Sequence, residues 1–216
     1  MSQSLPFEVE GKFSFEPPAS WTVVEAKVYT ETLRKNLNLM PAGPARDAAE
    51  KSKPPLAVFV GPAMPLFQSN LNIRQLEGAP RLDEKGVEEY RQNAVQAFGP
   101  LQATIERAEL ITVDGKPALR GEFNYHLAGQ GVRSTQAIFG GRQHTYIVTY
   151  TTLSSRYPAE QPAIEVSIAS FRLKEPWHTV FGANPIFFYA LIAAVAGGIL
   201  AALFRRRNAR LNARSK

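Results

Sequence analysis

One uninterrupted apolar segment places the strongest constraint on what this chain can form. Residues 186–204 read IFFYALIAAVAGGILAALF and contain no charged, amide or proline side chain. At about 1.5 Å of rise per residue, a helix of this length matches the ~30 Å hydrocarbon core of a bilayer. A buried core helix is the alternative, but such helices usually carry polar residues on one side. The sequence therefore predicts one transmembrane helix over 186–204.

Residue types that anchor helices at a membrane surface flank this segment. Aromatic residues precede it and crowd its first turn, and arginines follow its last residue. The predicted membrane-interface residues are Trp177, Phe187, Phe188, Tyr189, Arg205, Arg206 and Arg207. Residues 176–185 are predicted to link the membrane helix to the preceding domain.

Small residues recur at a spacing of four along the apolar segment, which permits two helices to approach closely. The residues predicted for a possible helix–helix contact are Ala193, Gly197, Gly198 and Ala201. The alternative is a single lipid-exposed anchor, because Ala and Gly are common in such helices.

The net positive charge of the chain comes from its C-terminal tail. The formal net charge is +6, from 25 Lys and Arg against 19 Asp and Glu. Six of the basic residues and none of the acidic ones lie in 205–216, so the rest of the chain is neutral. This argues against a nucleic-acid-binding domain, which would spread basic residues over a folded face. On the cytoplasmic side, the basic tail could contact anionic lipid head groups.

Two signals disagree on membrane topology. The first residues contain no basic and apolar export signal, which predicts a tail-anchored protein of the bacterial inner membrane with its N-terminal domain in the cytoplasm. The positive-inside rule instead places the basic tail in the cytoplasm and the domain outside. We expect the cytoplasmic domain and keep the exported domain as the alternative.

Residues 1–175 are predicted to form one α+β domain. Short strands are expected at 13–15 and 21–27, and residues 41–55, with four prolines, are predicted as a flexible loop. Residues 70–76 alternate as a strand, and 82–98 carry a helical stripe capped by Asp83. Four strands with tight turns follow between 104 and 151, the first turn at Asp114-Gly115, and then a helix over 158–170. This order predicts an antiparallel β-meander packed with helices as a sandwich.

Five segments occur along the chain in this order: Phe13-x-Phe15-x-x-Pro18-x-x-Trp21, the strand 70–75, the hairpin 115–118 with 121–123, the strand 146–152, and Tyr157 with 168–171. Together they resemble the PsbP-like superfamily, which includes PsbP and the DcrB-type bacterial proteins. The resemblance spans about residues 7–173 and implies a PsbP-like sandwich. It implies protein binding or scaffolding rather than a shared catalytic constellation. The added transmembrane helix departs from the family pattern.

The chain carries few signals for chemistry. It has no cysteine, which excludes disulfides, thiol nucleophiles and cysteine-based zinc sites. No phosphate-binding glycine loop or G-x-S-x-G motif is present. Three groups of residues are candidates for sites, but their patterns favour strand histidines with His178 as an interface anchor, solvated carboxylates and core aromatics. They are His126, His144 and His178; Glu88, Glu89, Glu106 and Glu109; and Tyr90, Phe98, Phe123, Tyr125, Phe139, Tyr146 and Tyr150.

The sequence therefore predicts no catalytic residue, no cofactor and no metal ligand. The function expected is a non-enzymatic, membrane-anchored domain that binds an unknown protein partner as a scaffold or assembly factor. One alternative is a small-ligand-binding protein or hydrolase that uses a pocket facing the sheet. Another is a structural subunit of a membrane complex that acts through the Gly/Ala helix face.

Overall fold

The computed structural model describes residues 6–35, 44–51, 53–63, 67–98, 101–127 and 129–178. The described strands are β1 (Phe7–Val9), β2 (Phe13–Phe15), β3 (Thr22–Val24), β4 (Ala57–Val60), β5 (Asn70–Glu77), β6 (Thr104–Val113), β7 (Lys116–Leu127), β8 (Gln130–Gly140), β9 (His144–Leu153) and β10 (Arg172–Leu173). The described helices are α1 (Ala26–Lys35), α2 (Pro44–Lys51), α3 (Glu84–Phe98) and α4 (Tyr157–Ala169).

Seven strands form one antiparallel sheet in the order β3-β4-β5-β9-β8-β7-β6. Strands β6 to β9 follow one another as the predicted meander. Their first turn is Asp114-Gly115, whose φ angles of 54° and 70° are those that a tight hairpin needs. A smaller sheet has the order β1-β2-β10. The predicted α+β architecture with an antiparallel meander is thus confirmed.

One face of the large sheet, here called the aromatic face, packs against the small sheet and α4. Its core contains interlocking rings, and Phe171 stacks on Phe139 with ring centroids 4.0 Å apart. Phe13 and Phe15 of β2 also bury their rings in this cluster. Alternate residues of the strands supply the apolar floor, as a half-buried strand pattern requires.

The opposite face, here called the polar face, lies under helices. Tyr29 of α1 packs on Val58 of β4, and Tyr90 of α3 packs over the meander strands. Helix α2 contacts both α1 and α3. Buried polar side chains form much of the layer beneath the helices, including those of Asn70, Asn72, Arg74, Ser134, Gln136, Thr149 and Thr151.

Helix α3 begins as the sequence predicts. The Asp83 carboxylate accepts a hydrogen bond from the Gly86 amide at 2.8 Å, as an N-cap does. Hydrogen bonds from Arg81 and from that amide lower the pKa of Asp83. Gly121 on β7 allows α3 to lie close to the sheet, since a Cβ there would stand 2.0 Å from the Tyr90 hydroxyl.

Two predictions near the start of the chain need correction. The strand expected at 21–27 is only β3, because α1 begins at Ala26 and buries Tyr29 and Leu33 at helical spacing. The loop expected at 41–55 contains α2. Pro44 opens this helix, where its fixed φ and missing N–H are tolerated, and alanines follow. The helix expected at 158–170 is confirmed as α4.

Candidate functional site

The chain leaves the described domain at one end of the large sheet, here called the exit end. This end carries the turn Asp114-Gly115 between β6 and β7 and the turn between β8 and β9. Helix α4 crosses the aromatic face and delivers the chain to β10, which pairs with β2. The last described residues, 174–178, then run beside these turns. The opposite end carries the connection between β7 and β8 and the start of α4.

Several contacts hold the departing chain against the exit end. Trp177 forms an isolated antiparallel bridge with Gly141, and the His178 amide donates to the Gly140 carbonyl at 3.2 Å. The Tyr146 hydroxyl donates to the Glu175 carboxylate. Burial and this carboxylate raise the pKa of Tyr146, so the phenol remains protonated and keeps donating. The direction in which the chain leaves the domain is thereby fixed.

Trp177 lines a shallow groove whose floor is apolar. Val113, Pro117 and Phe139 contribute to the floor, and the β6–β7 turn forms one edge. The indole remains 39% exposed, whereas most large apolar side chains of the described domain are buried. Trp177 is thus partly packed against the domain and partly exposed. Tryptophan rings are enriched at membrane–water interfaces.

Of the predicted membrane-interface residues, the structure describes Trp177 alone. The others, Phe187, Phe188, Tyr189, Arg205, Arg206 and Arg207, lie outside the described residues, as do Ala193, Gly197, Gly198 and Ala201. No helix within the described ranges, which end at residue 178, is long and apolar enough to cross a membrane.

The three histidines do not come together. His126 is exposed on β7, and His144 begins β9 with Nδ1 3.7 Å from a Glu175 oxygen. Strand β8 lies between those two strands, and His178 is exposed at the exit end. In the part of the chain that the structure describes, no three His, Asp or Glu side chains cluster in a way that could hold a metal ion.

The carboxylates that the sequence offers as candidate sites are paired with arginine, glutamine or asparagine side chains. The side chain of Glu89 lies 3.6 Å from Arg81, and that of Glu109 lies 2.8 Å from Arg107. Glu88 accepts a hydrogen bond from Gln92 one helical turn later. Asn124 donates to the carboxylate of Glu106 at 2.9 Å. These four acids are therefore engaged at the surface rather than paired for acid–base chemistry.

Sequence reasoning missed a buried charged network on the aromatic face. Glu122 of β7 is 2% exposed and accepts from Arg120 at 2.8 Å and from Arg133 at 2.5 Å. Arg120 also forms a bidentate pair with Glu165 of α4. The guanidinium of Arg133 lies 4.0 Å from the centre of the Tyr157 ring. Alternation along β7 and β8 brings these residues to one face, and only the register shows which of them pair.

Each charge of the network has an opposite charge beside it, although Nε of Arg133 meets no acceptor among the described residues. Burial alone would raise the pKa of Glu122, but the hydrogen bond from Arg133 and the charge of Arg120 outweigh it and lower the pKa. Burial raises the pKa of Tyr157. Neither group is poised to exchange a proton near neutral pH. The arrangement ties α4 to the meander and serves as a structural link.

Hydrogen bonds also connect the polar face to its helices. The Tyr90 hydroxyl donates to Gln136 at 2.9 Å, and the Gln136 amide donates to Thr149 at 3.2 Å. The hydroxyl of Ser134 lies within hydrogen-bond distance of Tyr125 and Thr151. The aromatic residues named from the sequence are predicted to belong to the core. Those whose side chains the structure describes are buried: Tyr90, Phe123, Tyr125, Phe139, Tyr146 and Tyr150. The side chain of Phe98 lies outside the described part of the chain.

Comparisons with known proteins bear on the fold. No protein-family model and no curated protein sequence matches this chain. The solution structure of cyanobacterial PsbP (CyanoP) from Synechocystis sp. PCC 6803 aligns over 80% of this chain and 94% of its own. The TM-score is 0.53 and the sequence identity 13%.

Two further structures align less well. A protein from Bacteroides thetaiotaomicron VPI-5482 covers 80% of this chain and 49% of its own, with 14% identity and a TM-score of 0.48. LpqN, involved in cell envelope biogenesis of Mycobacterium tuberculosis, covers 80% and 86%, with 12% identity and a TM-score of 0.44. The alignment with CyanoP, together with the meander and its covering layers, shows that this chain has a PsbP-like fold.

Proposed function

We propose that this chain is a non-enzymatic scaffold or assembly-factor domain, anchored in a membrane by residues 186–204 and binding another protein. The observation that carries the proposal is the fixed departure of the chain at the exit end beside the half-exposed Trp177. The PsbP-like resemblance, which implies protein binding, supports the second half of the proposal. Membrane confinement would raise the effective concentration of the domain for partners in the same membrane.

The length of the connecting segment limits how the domain can sit. Seven residues, 179–185, separate His178 from the predicted membrane helix. Fully extended, they reach at most about 25 Å, since a residue spans roughly 3.3–3.6 Å. The exit end would therefore face the bilayer, with Trp177 near the head groups. The basic tail 205–216 would lie across the membrane and contact anionic lipids when that side is cytoplasmic.

The two tryptophans of the chain provide a direct test, because Trp21 and Trp177 lie at opposite ends of the sheet. Trp21 precedes β3 and packs near Tyr150, with ring centroids 6.4 Å apart. Full-length Trp21→Phe and Trp177→Phe variants would each retain one tryptophan. They would be reconstituted into phosphatidylcholine vesicles that contain lipids brominated near the head group.

We expect bromolipids to quench the fluorescence of Trp177 in the Trp21→Phe variant. The fluorescence of Trp21 in the Trp177→Phe variant should stay nearly unchanged, because that end points away from the bilayer. Equal quenching of both residues, or quenching of Trp21 alone, would contradict the proposed orientation. Absence of the protein from the vesicles would contradict the membrane anchor itself.

Topology requires a separate experiment. We propose the bacterial inner membrane with the domain in the cytoplasm, and an exported domain is the alternative. Protease added to intact spheroplasts should leave a cytoplasmic domain whole and should digest it after lysis. Digestion before lysis would show an exported domain with its basic tail inside.

Association through the Gly/Ala face is a second proposal, supported by the spacing of small residues in 186–204. Replacing Gly197 and Gly198 by leucine should abolish co-purification of partners from the membrane and leave membrane insertion intact. If the same partners still co-purify, the folded domain rather than the helix makes the contact.

A further inference from the structure

The polar face contains a buried arginine whose hydrogen bonding is incomplete. Arg74 of β5 is 6% exposed. Its Nη1 donates to the Lys53 carbonyl at 2.8 Å, just after α2. Within the described residues, neither Nε nor Nη2 meets an acceptor. A buried guanidinium with unpaired N–H donors destabilises the fold, because it has lost its hydrogen bonds to water without forming enough hydrogen bonds to the protein.

The two unmet nitrogens lie on the same edge of the guanidinium. Nε–H and the adjacent Nη2–H point in parallel, and this edge matches the two oxygens of one carboxylate. Arg120 uses the same pair of nitrogens toward Glu122 on the opposite face of the sheet. Nε and Nη2 of Arg74 therefore form a pair of donors of the type that binds a carboxylate, and no carboxylate among the described residues binds them.

A second unmet donor lies close by. Tyr29 of α1 is 3% exposed, and its hydroxyl has no hydrogen-bond partner in the described part of the chain. Burial raises the pKa of Tyr29 to about 12, while the charge of Arg74 opposes the shift. The phenol is therefore protonated at neutral pH and able to donate to an anion bound by Arg74.

We propose that Arg74 and Tyr29 form a buried binding site for the carboxylate group of a small acidic molecule. The guanidinium edge would donate one hydrogen bond to each carboxylate oxygen, and the phenol would donate a third hydrogen bond. The depth of Arg74 favours a small molecule over the side chain of a partner protein. This inference goes beyond the scaffold function and does not depend on membrane attachment.

The test measures ligand-dependent stabilisation of the full-length chain in uncharged detergent. A ligand that binds only the folded state raises the unfolding midpoint with its concentration. The probes are sodium acetate, sodium butyrate and inorganic phosphate, each replacing sodium chloride at constant ionic strength. We expect a saturable rise with acetate or butyrate. No rise with either carboxylate, or a rise with phosphate alone, would overturn the proposal.

Substitutions locate the effect at the proposed site. Arg74→Lys keeps the charge but loses the fork, and Tyr29→Phe removes only the hydroxyl. Each should weaken the apparent carboxylate affinity by about tenfold or more, the usual effect of losing a hydrogen bond to a charged group. Arg74→Met should abolish the stabilisation. Arg107→Lys, at a surface arginine paired with Glu109, is the matched control and should respond as the wild type does.

An equal response of the wild type, Arg74→Lys and Tyr29→Phe would show that carboxylates act elsewhere, and the assignment would fall. The Lys and Phe variants keep the test decisive even if Arg74→Met does not fold.

Discussion

Arg120 and Arg74 are buried to nearly the same degree on opposite faces of one sheet, 5% and 6% exposed. On the aromatic face, all three guanidinium nitrogens of Arg120 donate to Glu122 or Glu165. On the polar face, Arg74 donates through Nη1 alone among the described residues. Arg120 therefore has an acceptor for each guanidinium nitrogen, whereas Arg74 has an acceptor for Nη1 only; on the aromatic face, Nε of Arg133 also has none among the described residues. Arg120 therefore contributes to the stability of the fold, whereas Arg74 is the group for which ligand binding is proposed.

The largest loss of stability is expected on the aromatic face. Phe171→Ala removes a ring that stacks between Phe139 and Phe13, at centroid distances of 4.0 and 5.1 Å. The cavity should lower the free energy of unfolding by about 3–5 kcal/mol. Urea unfolding followed by circular dichroism measures the change. Val166→Ala, at an exposed position of α4, is the control, and a similar loss there would contradict the assignment.

Arg120→Met should lower the free energy of unfolding somewhat less than Phe171→Ala does. The substitution leaves Glu122 with Arg133 alone and removes the arginine partner of Glu165, and breaking a buried ion pair is strongly destabilising. We expect a loss of about 3 kcal/mol in the free energy of unfolding, at the lower end of the range for broken buried pairs. A neutral result would mean that the network contributes nothing to the aromatic face. Arg172→Met, at a surface position, serves as the control.

Glu122→Gln tests the same network through pH. The native pKa of Glu122 is lowered, so its carboxylate stabilises the fold above the unfolded pKa, near 4.5. That stability is lost as pH falls through the lower native pKa. We expect the variant to be about 2 kcal/mol less stable at pH 7, the usual size of charge-assisted hydrogen bonding. The difference should shrink below pH 4.5, and a constant difference down to pH 3 would contradict the assignment.

Tyr90→Phe measures one hydrogen bond on the polar face. The variant keeps the ring over Gly121 and removes the bond to Gln136. The expected loss is about 1 kcal/mol in the free energy of unfolding. A loss as large as that of Phe171→Ala would erase the distinction between the two faces.

The smallest effect is expected at Arg74. Replacing an incompletely paired buried charge by an apolar side chain of similar size is often neutral or stabilising. When no carboxylate is present, the free energy of unfolding of Arg74→Met should therefore lie within about 0.5 kcal/mol of the wild-type value, or above it. A loss of about 3 kcal/mol, as at Arg120, would show that Arg74 is part of the fold and would remove the contrast.

Local signals in the sequence predicted most of the elements. Asp114-Gly115 marked the first meander turn, and Asp83 marked the start of α3. Strand 70–76 is also predicted from its alternation. The burial of Arg74 in this strand depends on α1 and on the chain after α2, which pack from distant positions and leave no pattern near Arg74. The pairing of Glu122 with Arg133 likewise follows from strand register, which alternation alone does not fix.

The meander strands have a consequence for the reach of the domain. Strand β7 contains 12 residues, which extend roughly 40 Å at about 3.3 Å each. In the proposed orientation, with the exit end toward the bilayer, these strands would stand upright and hold the connection after β7 at that height. A partner that touches this upper end of the sheet would have to project about as far from the membrane, whereas a partner with short loops would contact only the turns of the exit end. The length of the sheet would then determine which neighbouring membrane proteins can contact the domain.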